Sequence, residues 1–315
     1  MISLKIRKLK DMKILSIISL LLSVMVSLLI PSLANADPEK LWIFQPRLTT
    51  GIMHYEFDFK FTAPGGAVPS TVKLFDDMPF FGGGAMLLYD RCFADAYFQL
   101  STTGKDDEGT EQDTEYVRRV DNEFDRKDYA ITFGCMVTNN LSFFTGYKNG
   151  KTDIHIASTQ NWPYDRIDEE STGDVEFKSD GLFLGVAYTH PIGNGQLGVQ
   201  LAATKLDAEY NQHNFTRTND RAVGDKPDTN DENWFLLGNT LGWTLGTNWT
   251  APISKHLWYG ISFNYSNYDF DLDSAYVIRK GEPDPDFINT LGSGMNYDMI
   301  ETVYSLQLQL SYQFK

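Results

Sequence analysis

The chain has 315 residues, of which 42 are acidic and 27 basic, and its formal net charge is −15 at pH 7. Such a chain does not suit nucleic acid, because that binding needs phosphates neutralised by Lys and Arg. Aromatic residues make up 14% of the chain. This content excludes an acidic disordered polymer, which would be poor in aromatic residues. The chain is therefore polar on average but must contain a pattern of apolar residues that allows it to fold.

The start of the chain predicts a secretory signal peptide. Five basic residues precede an apolar run over 14–30, Pro31 ends the run, and Ala-Asn-Ala follows at 34–36. These are the basic, apolar and small-residue regions that signal peptidase recognises. A retained membrane anchor is the alternative, because the run is long for a signal peptide. We expect a signal peptide over 1–36 and a mature domain over 37–315.

Runs in which apolar and polar residues alternate with a period of two recur from residue 51 to the C-terminus, and they predict β-strands. The last strand shows it best. One face carries Tyr304, Leu306, Leu308, Leu310, Tyr312 and Phe314, and the other carries Ser305, Gln307, Gln309, Ser311 and Gln313. The polar face has no charge. Lipid outside and a polar lumen inside a barrel would produce this pattern.

Counting such runs predicts ten strands, near 49–61, 80–90, 92–104, 127–138, 141–150, 180–190, 196–207, 234–250, 256–270 and 299–314. Short and long connections alternate between them, as periplasmic turns and extracellular loops do. We therefore predict an all-β fold, a transmembrane antiparallel up-and-down β-barrel. Ten strands fit best, with eight or twelve left open. An even number would return both mature termini to the periplasm.

The final strand resembles the C-terminal assembly signal of bacterial outer-membrane β-barrel proteins. The resemblance rests on Phe314 and Tyr312 and on the leucines at 306, 308 and 310, although Lys315 follows the usual terminal aromatic residue. It implies location in the outer membrane and insertion by the outer-membrane assembly machinery. It also implies contact with outer-membrane lipid and lipopolysaccharide. The oligomeric state stays open.

The predicted long connections concentrate the negative charge. Residues 104–127, 150–179, 207–233 and 269–298 hold 30 acidic and 13 basic residues, a net charge of −17. We therefore predict acidic extracellular loops. They would enrich small cationic solutes at the mouth of a pore, or bind a cationic partner.

The first strand supplies the predicted charged lumen. His54, Glu56, Asp58 and Lys60 alternate with apolar residues that would face lipid. With Lys148, these four residues are expected to line the lumen. The remaining lumen positions are mostly Gly and Ser, so a narrow pore and a lumen plugged by side chains both remain open.

Two cysteines, Cys92 and Cys135, fall on strands that should pair, and both fall on the outward face near the periplasmic rim. Because the compartment is oxidising, a cross-strand disulfide is one prediction. Two thiols packed against lipid are the other.

Asp269, Asp271 and Asp273 alternate at the end of one strand and are weak candidates for holding a divalent cation, since hard cations take several oxygen ligands. Solvated charge is the simpler interpretation. We predict no dedicated metal site and no cofactor.

Asp153 and His155 have an Asp-x-His spacing, and Asp76-Asp77 would supply further acids. These residues resemble part of the site of omptin-type outer-membrane proteases, which also have ten strands and activate water with paired aspartates and an Asp–His pair. The family's Asp-x-Asp spacing is missing, and Asp-x-His falls in the third long connection instead of the fourth. We expect no catalytic residues and no enzyme activity.

The sequence thus favours a non-enzymatic outer-membrane barrel, either a narrow porin-like channel or a structural surface protein. Binding or adhesion through acidic loops is the alternative. An omptin-like protease comes third.

Overall fold

The computed structural model describes residues 42–62, 70–112, 117–162, 167–220, 227–280, 282–283 and 296–314, so the predicted signal peptide lies outside the described residues. Its strands are β1 (Trp42–Thr62), β2 (Ser70–Tyr89), β3 (Cys92–Ser101), β4 (Gly104–Gln112), β5 (Val117–Met136), β6 (Leu141–Trp162), β7 (Ile167–Ile192), β8 (Gly195–Asp220), β9 (Asp228–Pro252), β10 (Leu257–Arg279), β11 (Glu282–Pro283) and β12 (Asn296–Tyr312). No described helix is long and apolar enough to cross a membrane.

Ten of these strands form a closed antiparallel ring. Their order is β10-β12-β1-β2-β3-β5-β6-β7-β8-β9, and β9 closes the ring by pairing with β10. The short strand β4 continues the wall beyond β3 and also pairs with β5, whereas β11 adds two residues beside β10. The prediction of an all-β, up-and-down, ten-stranded fold is confirmed.

The two ends of the ring differ. One end carries tight turns at 90–91, 137–140, 193–194 and 253–256, and there Phe44 pairs with Phe314. We call it the turn end. The strands extend much further at the opposite end of the ring, which we call the extended end. Asp90 and Gly193 take the positive φ that tight turns often require.

The strands are longer than the sequence pattern predicts. β7 and β8 each have 26 residues and so span roughly 80 Å, whereas about 9–11 residues suffice to cross a membrane. Most residues of the predicted long loops continue the strands, so the prediction of acidic loops is wrong for the described residues.

The outward face changes its chemistry along each strand, which explains the error. On β8, Val199 and Leu201 face outward toward the turn end and are 41% and 50% exposed. Toward the extended end Leu206 is fully buried inside, and Asp207 and Glu209 face outward. On a strand whose outward face contacts water, acidic residues alternate with buried core residues. Such a strand resembles a loop when only its composition is counted.

An apolar core fills the inside of the extended half. Every ring strand except β3 contributes to it. Its members are Met53, Tyr55, Phe57, Leu74, Met78, Phe80, Phe124, Ile154, Val175, Phe177, Leu206, Ala208, Tyr210, Leu236, Tyr268, Phe270, Ala275, Val277 and Met299. This half therefore has an apolar inside and a polar outside, as a water-soluble barrel does. The half nearer the turn end has the opposite arrangement.

Candidate functional site

Aromatic rings meet across the lumen in the extended half. Five steps separate β1 from β7 in the ten-stranded ring, so these strands form opposite walls. The rings of Phe57 and Phe177 nevertheless lie 5.1 Å apart, and Phe177 meets Phe270 edge-on at 5.1 Å. Phe57 and Phe177 are each 1% exposed. These side chains fill the barrel at this height.

The same core shows that the inward and outward faces of β1 are the reverse of those predicted. Because Met53 and Tyr55 point into the core, His54, Glu56 and Asp58 lie on the outward face. The prediction that these three residues line the lumen is wrong. That prediction assumed that lipid surrounds the barrel along the whole length of the strand. Where the outward face is polar and the inside apolar, the charged residues face outward.

The structure brings His54 to a neighbour on β2. Its Nδ1 lies 2.7 Å from Asp77 Oδ1, and its ring packs 5.4 Å from Tyr304. The backbone of Lys60 lies opposite that of Asp298, and its side chain is outside the described residues.

Lys148 does point inward, as predicted. Its Nζ donates a hydrogen bond to the Tyr268 hydroxyl, 2.5 Å away, and lies 4.4 Å from the centre of the same ring. Four ring steps separate β6 from β10, so this contact also crosses the lumen.

A buried polar network lies next to the core. The Arg126 guanidinium donates hydrogen bonds to Glu301 and to Thr152, the latter at 3.0 Å, and its Nη2 lies 2.9 Å from Asp128 Oδ1. It also stands 5.2 Å from the Tyr55 ring centre. Arg126 is 2% exposed and Glu301 is fully buried. Arg126 and Asp128 are two residues apart on β5, but no spacing in the sequence indicates their contacts with Thr152 and Glu301, which come from other strands.

Between this network and the turn end the barrel holds a polar cavity of about 530 Å³. Its wall reaches Phe93, two residues after the turn at 90–91. The polar side chains that line it are Arg47, Thr49, Asp95, Tyr97, Gln99, Arg126, Asp128, Tyr129, Thr132, Lys148, Gln200, Thr204, Thr244, Thr247, Asn248, Ser262, Asn264, Ser266, Tyr268, Ser305, Gln307 and Gln309. It is the candidate site inside the barrel.

The cysteines and the C-terminal strand lie where the sequence pattern placed them. Cys92 and Cys135 are cross-strand partners in β3 and β5 and form a disulfide. The five outward residues of the predicted assembly signal are exposed; they are Leu306, Leu308, Leu310, Tyr312 and Phe314. Their partners Ser305 and Ser311 are buried inside.

The three aspartates of β10 do not project from one edge at a regular two-residue spacing. A bulge interrupts the pairing between Leu272 and Ser274, and Asp273 accepts a hydrogen bond from Asn239 at 2.7 Å. Within the described ranges no group of three or more acidic, His or Cys side chains is arranged to hold a metal ion.

The residues of the protease hypothesis are not brought together. Asp153 and His155 lie on the outward face of β6, and His155 Nδ1 is 2.7 Å from Asp174 Oδ1. Asp76 and Asp77 lie on opposite faces of β2, and β3 and β5 separate that strand from β6 in the ring. Around His155 the outer wall forms a groove of about 570 Å³ with five carboxylates. They are Glu123, Asp125, Asp153, Asp174 and Glu176.

A closed antiparallel ring with an outward apolar band is the fold of bacterial outer-membrane β-barrel proteins. The structure is similar to that of the outer membrane protease OmpT from Escherichia coli, with a TM-score of 0.60 and 9% identity over 88% of this chain and 98% of that one. At this identity the likeness shows the fold alone.

Two further barrels align with TM-scores too low to carry an argument. A Pseudomonas aeruginosa FadL homologue has a TM-score of 0.35 and 12% identity over 87% of this chain and 90% of that one. The translocator domain of the autotransporter NalP from Neisseria meningitidis has 0.39 and 10%, over 85% and 88%. No protein-family model and no curated protein matches the chain.

Proposed function

We propose that the protein is a non-enzymatic structural surface protein, an outer-membrane barrel whose lumen is closed. The observation that carries this proposal is the contact between Phe57 and Phe177, side chains of opposite walls, inside the apolar core. An apolar core spanning the lumen leaves no continuous water path for ions.

The turn end faces the periplasm in this proposal, and the extended half stands above the membrane. Short turns on the periplasmic side are the rule for such barrels. The charged outward face of the extended half supports the same orientation, since a Lys or Arg on a lipid-facing wall costs about 2–4 kcal/mol at the bilayer midplane, and an Asp or Glu costs less. Lipopolysaccharide and outer-membrane lipid then surround the band nearer the turn end.

Conductance in planar bilayers tests the proposal. We expect no current steps from the folded wild-type protein, and steps from a variant in which Tyr55→Ala, Phe57→Ala and Phe177→Ala remove the central rings. The control variant shortens exposed outward residues instead, by Phe98→Ala, Phe133→Ala and Leu182→Ala, and should stay silent. Regular steps from the wild type would restore the narrow channel for small cationic solutes and overturn the closed barrel.

Binding through the outer face is the second candidate function. The acidic groove around His155 favours it, because its carboxylates face outward on neighbouring strands of the extended half. A cationic peptide such as oligolysine should bind, and the affinity should fall with salt as the screening length shortens. Asp153→Asn with Asp174→Asn should weaken binding, whereas Gln309→Ala inside the barrel should not. Unchanged binding in the groove variant would exclude this candidate.

The absence of enzyme activity is part of the proposal and has its own test. Purified protein should not cleave peptides. Cleavage that disappears in Asp153→Ala or His155→Ala would revive the omptin-like hypothesis.

A further inference from the structure

Carboxamide side chains form one wall of the polar cavity. They occupy two neighbouring cross-strand rows that run over β8, β9, β10 and β12. The rows are Gln200, Gly246, Asn264 and Ser305, and then Gly198, Asn248, Ser262 and Gln307. Each carboxamide therefore stands beside a Gly or Ser in its own row.

The two glycines of these rows make room for the amides. A Cβ at Gly246 would lie 2.6 Å from Gln200 Nε2 and 2.7 Å from Asn264 Oδ1. A Cβ at Gly198 would collide with Asn248 Oδ1. The amide groups thus occupy space that any larger residue would fill.

The carboxamides retain hydrogen-bonding capacity. Each offers two N–H donors and an oxygen with two lone pairs. Gln200 Nε2 lies 3.5 Å from Asn264 Oδ1, and the Tyr97 hydroxyl lies 3.4 Å from Gln307 Oε1, both longer than ordinary hydrogen bonds. Gln200 and Asn248 are exposed although they face the barrel interior, so the cavity admits water.

The charges of the cavity wall and its partners balance. Arg47 donates hydrogen bonds to both carboxylate oxygens of Asp95, and Arg126 contacts Asp128 and Glu301. With Lys148, three cations face three carboxylates. A small ion entering the cavity would lose water without gaining a net opposite charge, and that loss is costly. A neutral solute with many hydroxyl groups avoids this cost.

We propose that this cavity binds a small neutral polyhydroxylated solute of the sugar type, which the carboxamide rows recognise. The volume of about 530 Å³ lies within the usual range for small-molecule sites. Tyr97 adds an aromatic side chain to the lining. The solute enters from the turn end, because the apolar core closes the other side. The direction of entry rests on the closed lumen that we propose above, whereas the binding itself does not depend on it.

Isothermal titration calorimetry of the folded protein in detergent tests the proposal. The neutral probes are glucose, maltose and trehalose, and the charged probes are glucuronate and glucosamine. We expect at least one neutral probe to bind with a Kd in the millimolar range or tighter. The charged probes should bind at least tenfold more weakly. Failure of every neutral probe to bind, or tighter binding of a charged one, would overturn the proposal.

Variants tie the binding to the carboxamide rows. Gly246→Leu places a side chain where the amides lie and should weaken binding at least tenfold. Asn248→Ala removes one amide without adding volume, and it provides the answer if Gly246→Leu does not fold. The matched control is Ala203→Leu on the outward face of β8, which should bind like the wild type. Unchanged affinity in folded Gly246→Leu and Asn248→Ala would refute the assignment of this site. Because the readout is heat and not current, its failure leaves the closed-lumen test untouched.

Discussion

Arg126 on β5 and Glu301 on β12 form a buried ion pair across the inside of the barrel, although three strands separate them in the wall. Their separation is 175 residues along the chain. The pair lies between the apolar core and the polar cavity, and it joins two walls that share no backbone hydrogen bond.

Removing one side of this pair should destabilise the protein unequally. Arg126→Met leaves Glu301 fully buried without its cation, and such a loss costs about 3–5 kcal/mol. Glu301→Leu should cost less, because Arg126 keeps Asp128 as a partner. Urea unfolding of the protein in detergent measures both.

The double variant and an outward control complete this experiment. Arg126→Met with Glu301→Leu should be more stable than Arg126→Met alone, since no unpaired carboxylate remains at position 301. Lys127→Met, whose side chain is half exposed, should change the unfolding free energy by less than about 1 kcal/mol. Equal losses in all three single variants would contradict the buried pair.

The disulfide between Cys92 and Cys135 has a direct chemical test. Denatured, unreduced protein should show negligible thiol labelling, and two thiols should appear after reduction. Cys92→Ser should expose one thiol without reduction. Strong labelling of the unreduced wild type would contradict the disulfide and leave the barrel unaffected.

The outward aromatic residues of β12 should be needed for assembly. Tyr312→Ser with Phe314→Ser removes apolar groups that are 42% and 52% exposed on the outward face, so we expect secretion with poor recovery of heat-modifiable protein in the membrane. Gln313→Ser, between them in sequence, is the matched control and should assemble normally. Normal yield of the double variant would rule out the assembly signal.

Glu176 in the extended half should contribute an acid-sensitive increment of stability. Lys151, 2.6 Å away, and then Lys178 lower the pKa of this carboxyl below its ordinary value of 4.5. A lowered folded-state pKa gives stability that is present above pH 4.5 and is lost as the pH falls through that lower pKa. The carboxylate is partly exposed, so the increment should stay below about 1 kcal/mol.

Comparing unfolding free energies across this pH range measures the increment. Glu176→Gln should flatten the pH dependence below pH 4.5 relative to the wild type. Glu170→Gln, an exposed position on the same strand, should leave it unchanged. A steeper acid loss in Glu176→Gln than in the wild type would contradict the sign.

Much of the architecture could be predicted because β-strands have an invariant side-chain period. The alternating runs and the tight turns between them favoured ten antiparallel strands, with eight or twelve left open, and the structure has ten in the ring. The shared face of Cys92 and Cys135 followed from the same period. The leucines and aromatic residues of the last strand were assigned outward correctly, because their polar partners carry no charge.

The period cannot say which face is inside, and that choice decides the site. Met53, Tyr55 and Phe57 alternate as neatly as Leu306, Leu308 and Leu310, yet the first set is buried and the second exposed. The sequence contains one signal that distinguishes the two sets. The residues that alternate with the first set are charged, whereas those that alternate with the second set are uncharged. Charge opposite an apolar face indicates water outside.

The sequence alone determined an all-β chain of alternating strands, the shared outward face of the two cysteines and an apolar band near the C-terminus, because these depend on local alternation and turns. Only the tertiary structure decided what fills the barrel. The contact between Phe57 and Phe177, the pair of Arg126 with Glu301, and the carboxamide rows all join residues of distant or separate strands. Such contacts depend on ring closure and cross-strand register, which set which side chains meet inside.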